Sequence, residues 1–257
     1  MSSTRLPGKV LKPLAGEPML VRIYDRLIQC KNIDKVVVAT STEPSDDSIF
    51  DLCKKKKINV FRGSLNDVQK RFIDIIDIYN SKYYARITGD CPFIFPQFID
   101  HQIGALEKYD ADALWFKKES SLLEGQGVFS SSSLKFIYGK SNNIEDKEHV
   151  GSLYLANNPQ FFKIVEMGLP QNFIKLKYRL TVDEERDYIF ASNLYDAFQN
   201  RLPFNFMELI SFLEKNNDLS IQNKNIKHRP LNTDLIEKRK KWINAKKVGY
   251  EDFKISK

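Results

Sequence analysis

Cysteine is scarce in this sequence. Cys30, Cys53 and Cys91 are odd in number and widely spaced, which argues against both a disulfide framework and a cysteine metal cage and fits a reduced compartment. Histidine is as rare, and His101, His149 and His228 have no metal-ligand spacing with one another. No apolar run approaches the roughly 18 residues needed to cross a bilayer, and no apolar stretch follows Met1-Ser2-Ser3-Thr4-Arg5. A membrane anchor and a secretory signal are therefore not expected, and cytoplasmic residence is. A net charge of +7 raises the question of nucleic acid. Its lysine clusters, Lys54 to Lys57 and Lys238 to Lys241, read instead as solvated helix faces, and basic and aromatic residues do not interleave on one strand. Nucleic acid is not expected as a partner.

What is present is the composition of a globular chain: 257 residues, 42% hydrophobic and 28% charged, enough to bury a sizeable core. Short β-branched runs alternate with helical periodicity. Met19 to Cys30 repeats apolar residues on one helical face, and Lys35 to Thr40 reads as a buried strand. A helix opening at Ser45, a strand over Ile58 to Arg62, a helix over Asp67 to Tyr79 and a strand over Tyr83 to Ile87 follow. Pro96 to Tyr109 is helical and Ala111 to Phe116 extended. This is the pattern of crossover units in a three-layer, mostly parallel α/β sheet. Further on, strands are expected at Gly125 to Phe129, Phe161 to Val165 and Lys175 to Val182. Helices are expected at Asp146 to Asn157, Glu184 to Phe198, Phe204 to Asn216 and Asp234 to Lys247. No internal repeat is visible.

Three segments carry residue types suited to phosphate and metal chemistry. Ser2-Ser3-Thr4-Arg5-Leu6-Pro7-Gly8-Lys9 gathers hydroxyls, a guanidinium, an ammonium and a turn-permitting glycine, the donors that a triphosphate needs, although a merely basic N-terminus would look similar. It is not a Walker loop, because Gly8-Lys9 is not followed by Ser or Thr. Arg86-Ile87-Thr88-Gly89-Asp90-Cys91-Pro92 ends a strand in Gly and Asp, where ligands of open α/β sheets collect. Asp90 is thus a candidate magnesium ligand, the alternative being a turn aspartate. Asp183, in Arg179-Leu180-Thr181-Val182-Asp183-Glu184-Glu185-Arg186-Asp187, is expected to close a strand and meet Asp90 with carboxylates about 4 to 7 Å apart. Its alternative is a helix N-cap. His149 could orient an acceptor, but a lone histidine on a helix is more often structural.

Taken together, these runs, with Val37-Val38-Ala39-Thr40-Ser41, Phe61-Arg62-Gly63-Ser64, Asp67-Val68 and Glu148-His149-Val150, closely resemble the cytidylyltransferase family of spore coat polysaccharide biosynthesis proteins. That family is related to the acylneuraminate and 3-deoxy-manno-octulosonate cytidylyltransferases. The resemblance implies a Rossmann-like nucleotide-diphospho-sugar transferase fold, expected over residues 1–200, and the helix candidates beyond it make residues 201–257 a helical extension packed on or beside it. It implies CTP as substrate, Mg2+ as cofactor, a sugar or sugar-acid acceptor and release of pyrophosphate; a homodimer is kept open. It also implies that Arg5 and Lys9 hold phosphates and that Asp90 and Asp183 coordinate magnesium, with Ser3, Gly8, Gly63, Ser64 and Asp67 near the nucleotide. One departure stands out. Family members carry a hydrophobic strand ending in Ala-Arg ahead of the position of Met1, and this sequence has neither, so a sheet lacking that inner strand is expected.

Overall fold

The computed structural model describes residues 5–118, 120, 123–174, 179–216, 241–243 and 245–254. A short ladder of β1 (Pro13–Leu14) and β2 (Glu17–Pro18) leads into α1 (Met19–Leu27), whose apolar stripe of Leu20, Ile23 and Leu27 is buried. Next come β3 (Val37–Ser41), α2 (Asp47–Lys56) and β4 (Asn59–Gly63), a crossover unit with its strands parallel. Asp67 caps α3 (Val68–Tyr79), its carboxylate accepting from the Lys70 N–H at 2.8 Å. The chain continues through β5 (Tyr83–Ile87) to α4 (Pro96–Tyr109), which starts on a proline that needs no N–H partner. β6 (Ala113–Phe116) and β7 (Gln126–Ser130) precede α5 (Ser131–Lys140), then α6 (Ile144–Glu148) and α7 (Ser152–Asn157). The remaining elements are β8 (Ile164–Gly168), α8 (Gln171–Ile174), α9 (Glu185–Ala197), α10 (Phe206–Lys215) and β9 (Lys247–Asp252).

The main sheet has the order β5-β7-β6-β8-β9. β8 runs parallel to both β6 and β9, whereas β7 is antiparallel to β5 and β6. β3 and β4 form a separate parallel pair. Among the described residues β3 pairs only with β4 and β5 only with β7. Between the two free edges lies a cavity of about 840 Å³, lined by Val36 to Ala39, by Tyr83 to Gly89, by Ile23 and Leu27 of α1 and by Phe72 and Ile76 of α3. Strand edges carry backbone groups that need partners, so this slot is shaped for one further extended segment. It lies between the β3-β4 pair and the main sheet, where the sequence reading expects an inner strand to be lacking.

The largest core cluster joins α1, α4 and α9 to the C-terminal segment. Phe95 stacks on Phe206 with centroids 4.6 Å apart, and Phe98 meets Phe253 edge-on at 4.8 Å. The extension expected to be helical over 201–257 therefore contains α10, which shares this core, and also β9, which adds a strand to the sheet. Most of the helix expected over Asp234 to Lys247, and most of the Lys238 to Lys241 run, lie outside the described residues, although 241–243 are helical.

Other elements differ from the sequence reading for local reasons. The single helix expected over Asp146 to Asn157 is broken between α6 and α7, where Val150 takes φ 55 and Gly151 φ 72. Gly151 is required there: a Cβ would lie 3.1 Å from Ile137 Cγ2 and 3.2 Å from Gln69 Nε2. The strand expected over Lys175 to Val182 falls partly outside the described residues, and 179–183 are irregular rather than extended in a ladder.

Candidate active site

Gly8 adopts φ 66 and opens a single 3-10 turn over Lys9–Leu11, with the Leu11 N–H donating to the Gly8 carbonyl at 2.9 Å. Leu6 is buried and anchors this turn on the core, which fixes where the Lys9 side chain leaves the backbone. On the facing side, β5 ends at Ile87 and the chain turns through Thr88-Gly89-Asp90. A Cβ on Gly89 would come within 3.1 Å of Val10 Cγ1, so glycine lets the two loops close on each other. Beyond Asp90 the loop is strapped down by Arg26, fully buried, donating to the Ile94 carbonyl at 2.6 Å, and by the Tyr195 hydroxyl donating to the Pro92 carbonyl at 2.7 Å.

The third segment meets the second through its backbone, the Val182 N–H donating to the Asp90 carbonyl at 2.8 Å. Asp183 therefore sits in a turn beside Asp90 and not at a neighbouring strand end. Nor does it cap α9. Glu184 occupies the N-cap position, and Asp187, 1% exposed, accepts from the N–H groups of Asp183 and Glu184 at 3.0 and 3.1 Å. With the helix end satisfied by the Glu184–Asp187 capping box, the Asp183 carboxylate is left to the site.

Lys9 Nζ lies between the two acids. It donates to Asp90 Oδ2 at 2.8 Å, Asp183 Oδ1 at 3.0 Å and the Val182 carbonyl at 2.9 Å. The two carboxylate oxygens are thus less than about 6 Å apart, close enough for a small cation on one of them to reach the other directly or through a bridging water. Asp183 is further paired with Arg5, at 2.9 Å from Oδ1, and with Arg179 through Oδ2. Burial pushes the Asp90 carboxyl up, but the charge and hydrogen bond of Lys9, with help from Thr88 and Cys91, outweigh it and hold the group below the ordinary carboxylate value. Burial also pushes the Cys91 thiol up, and with the Asp90 charge adding to it the thiol lies well above its usual range, so the residue beside Asp90 stays a neutral thiol, with Sγ 3.0 Å from Thr88 Oγ1 and 3.5 Å from Asp90 Oδ1.

The sequence model of the family described as Cytidylyltransferase matches residues 1–227. The chain belongs to the cytidylyltransferase family. It is 33% identical over 228 residues to the spore coat polysaccharide biosynthesis protein SpsF of Bacillus subtilis (strain 168), covering 86% of this chain and 94% of that one. Among solved structures it is similar to a cytidylyltransferase from Leptospira borgpetersenii, with a TM-score of 0.77, 30% identity, and coverage of 89% of this chain and 95% of that one. The fold is also that of a CMP:2-keto-3-deoxy-manno-octonic acid synthetase complexed with CTP, with a TM-score of 0.54, 16% identity, and coverage of 78% and 95%. This cytidylyltransferase thus has an α/β nucleotidyltransferase fold, and its loops cluster at the carboxyl end of β5.

Other expected site residues fall in two groups. Ser3 lies outside the described residues. Gly63, Ser64 and Asp67 form their own cluster at the end of β4. A Cβ on Gly63 would meet Arg71 Cγ at 2.7 Å, and Arg71 donates to the Ala39 carbonyl at 2.9 Å. Ser64 Oγ accepts from the Asp67 N–H, and Asp67 Oδ2 accepts from the Tyr138 hydroxyl at 3.1 Å. His149 sits at the end of α6, where its carbonyl accepts from the Ser152 hydroxyl at 2.8 Å, and with Glu148 it lines the cavity between β3 and β5. Sequence reasoning missed Arg179 and Asp187 as the residues that hold Asp183; their spacing of four positions on either side was the available signal. It also missed Glu124, whose carboxylate accepts from Thr181 Oγ1 at 3.2 Å.

Proposed function

We propose that this cytidylyltransferase transfers CMP from CTP to a sugar or sugar-acid acceptor, with magnesium, in the synthesis of a surface polysaccharide or glycan. Family membership supports the nucleotide, and the SpsF name and the octonic acid synthetase fold point to the acceptor class. The observation that carries the reading is the convergence of Arg5, Lys9, Asp90 and Asp183 on one point at the carboxyl end of β5.

The donor set suits a hard divalent ion. Two carboxylates lie within reach of one cation, and the Lys9 ammonium stands where such a charge is wanted. Among the described residues no three His, Cys, Asp or Glu side chains form a metal cage, so water and phosphate oxygens would complete the shell. When bound, magnesium would make the α-phosphorus more electrophilic and neutralise charge on its oxygens. The acceptor hydroxyl attacks that phosphorus, its proton is released, and the bond to pyrophosphate breaks. Arg5, 38% exposed, is free to turn from Asp183 towards the phosphates, while the buried Arg179 keeps Asp183 oriented. In this reading Gly8 lets the loop approach the phosphates, and Ser3, Gly63, Ser64 and Asp67 lie along the nucleotide.

The split between β3 and β5 favours a second reading, a nucleotide-binding protein in which transfer is impaired. The test is pyrophosphate release from each of the four triphosphates with magnesium and a panel of sugar acids, alongside equilibrium binding of CTP. Release with CTP supports transfer. Binding of CTP without release favours the second reading, and release with another triphosphate alone contradicts the choice of nucleotide.

A further inference from the structure

An ammonium has three donors. In Lys9 all three are used, on Asp90 Oδ2, Asp183 Oδ1 and the Val182 carbonyl, and the side chain is only 11% exposed. Lys9 therefore cannot contact a phosphate while it keeps these partners. A divalent ion on the same two carboxylates would stand within a few ångströms of the ammonium, where like charges repel strongly in a partly buried site. The two roles expected of this cluster, Lys9 on phosphate and metal on the acids, exclude each other in the arrangement observed.

We propose that Lys9 is the resident counter-ion of the Asp90 and Asp183 carboxylates, and that a divalent cation replaces it only when a triphosphate offers the ammonium new acceptors. Metal and nucleotide then enter together. The inference rests on the nucleotidyl-transfer reading of the site. Two further features support it. Asp183 already faces Arg5 and Arg179 as well as Lys9, so both of its oxygens are paired and a lone dication must displace a resident cation to reach them. Among the described residues only the Asp90 and Asp183 carboxylates meet at Lys9, and an ion that needs six oxygens gains most of its shell from water and phosphate. The exchange forms and breaks no covalent bond. The ammonium moves from carboxylate to phosphate oxygen, and the cation takes the carboxylate oxygens it leaves.

The probe is Mn2+, followed by electron paramagnetic resonance as it titrates the nucleotide-free protein. The wild type should bind Mn2+ weakly, and Lys9→Met at least about tenfold more tightly, because the two acids lose their competitor. Adding Asp183→Asn to Lys9→Met should abolish the gain, which locates the ion. A non-hydrolysable CTP analogue, added without metal, should bind Lys9→Met more weakly than the wild type. Opposite signs for the two ligands are the signature, since a merely disordered loop would weaken both. Thermal melts establish that each variant is folded, and Lys9→Gln replaces Lys9→Met if the latter is not. Equal Mn2+ affinity in the wild type and the neutral variant overturns the exchange. If the wild type nonetheless releases pyrophosphate from CTP, the transfer reading survives that result. If no triphosphate yields pyrophosphate while the Mn2+ difference is seen, the transfer reading fails and the counter-ion role stands.

Discussion

Replacing Asp187 by asparagine keeps the shape of the side chain and removes its charge at a position 1% exposed. The carboxylate accepts from two backbone N–H groups, those of Asp183 and Glu184 at 3.0 and 3.1 Å, and lies 3.7 Å from Arg179 Nε. A hydrogen bond to a charged group contributes about twice what a neutral one does, so each N–H bond loses about 1 kcal/mol. The Arg179 guanidinium loses one of its two carboxylates and gains an amide, which adds about another 1 kcal/mol. The sum is about 2 to 4 kcal/mol, read as a lowered urea midpoint at neutral pH. Because the same N–H bond fixes the backbone of Asp183, transfer should fall about tenfold or more in kcat in those molecules that remain folded. A loss below about 0.5 kcal/mol with unchanged kcat would refute the view that Asp187 frees and holds Asp183.

Three other perturbations follow from the same structure. Gly125→Ala would place a methyl group 2.1 Å from Cys91 Sγ and 2.3 Å from Thr88 Oγ1 at φ +64, costing about 2 to 4 kcal/mol in urea unfolding, and less when Cys91→Ala is added. Burial pushes the Asp46 carboxyl up, but bonds from Ser41 and Thr40 outweigh it and leave the group well below its ordinary value. Stability from a depressed carboxyl is complete above the unfolded value of about 4 and lost as pH falls towards the folded one, so Asp46→Asn should cost far more at about pH 7 than at about pH 2. An apolar strand of about six residues fused ahead of residue 1 should enter the slot between β3 and β5, raise Tm and increase the gain in Tm from CTP with magnesium; a strand of alternating lysines should do neither.

Where local chemistry decides, the sequence was readable. Tyr83–Ile87 and Pro96–Tyr109 have the same bounds in the structure as in the sequence reading, because one is a run of β-formers and the other opens on proline with regular apolar spacing. α5 escaped notice because Ser131-Ser132-Ser133 reads as a loop. Only the structure shows Ser130 capping the helix through the Ser133 N–H, with Leu134 and Ile137 buried. β9 escaped for the opposite reason: its half-buried alternation is that of an edge strand, and the pairing with β8 that creates it comes from far along the chain. For the site, residue types and spacing marked Arg5, Lys9, Asp90 and Asp183. They could not reveal that one ammonium uses all its donors on the two acids, since that depends on three loops meeting.

The most direct test of the account is stoichiometric product analysis with CTP, magnesium and a panel of sugar acids. The account predicts equimolar pyrophosphate and CMP-linked sugar with the wild type, strong preference for CTP over ATP, GTP and UTP, and a loss of about a hundredfold or more in Asp183→Asn with the fold intact. Product formation that is unchanged in Asp183→Asn, or equal with all four triphosphates, would contradict it.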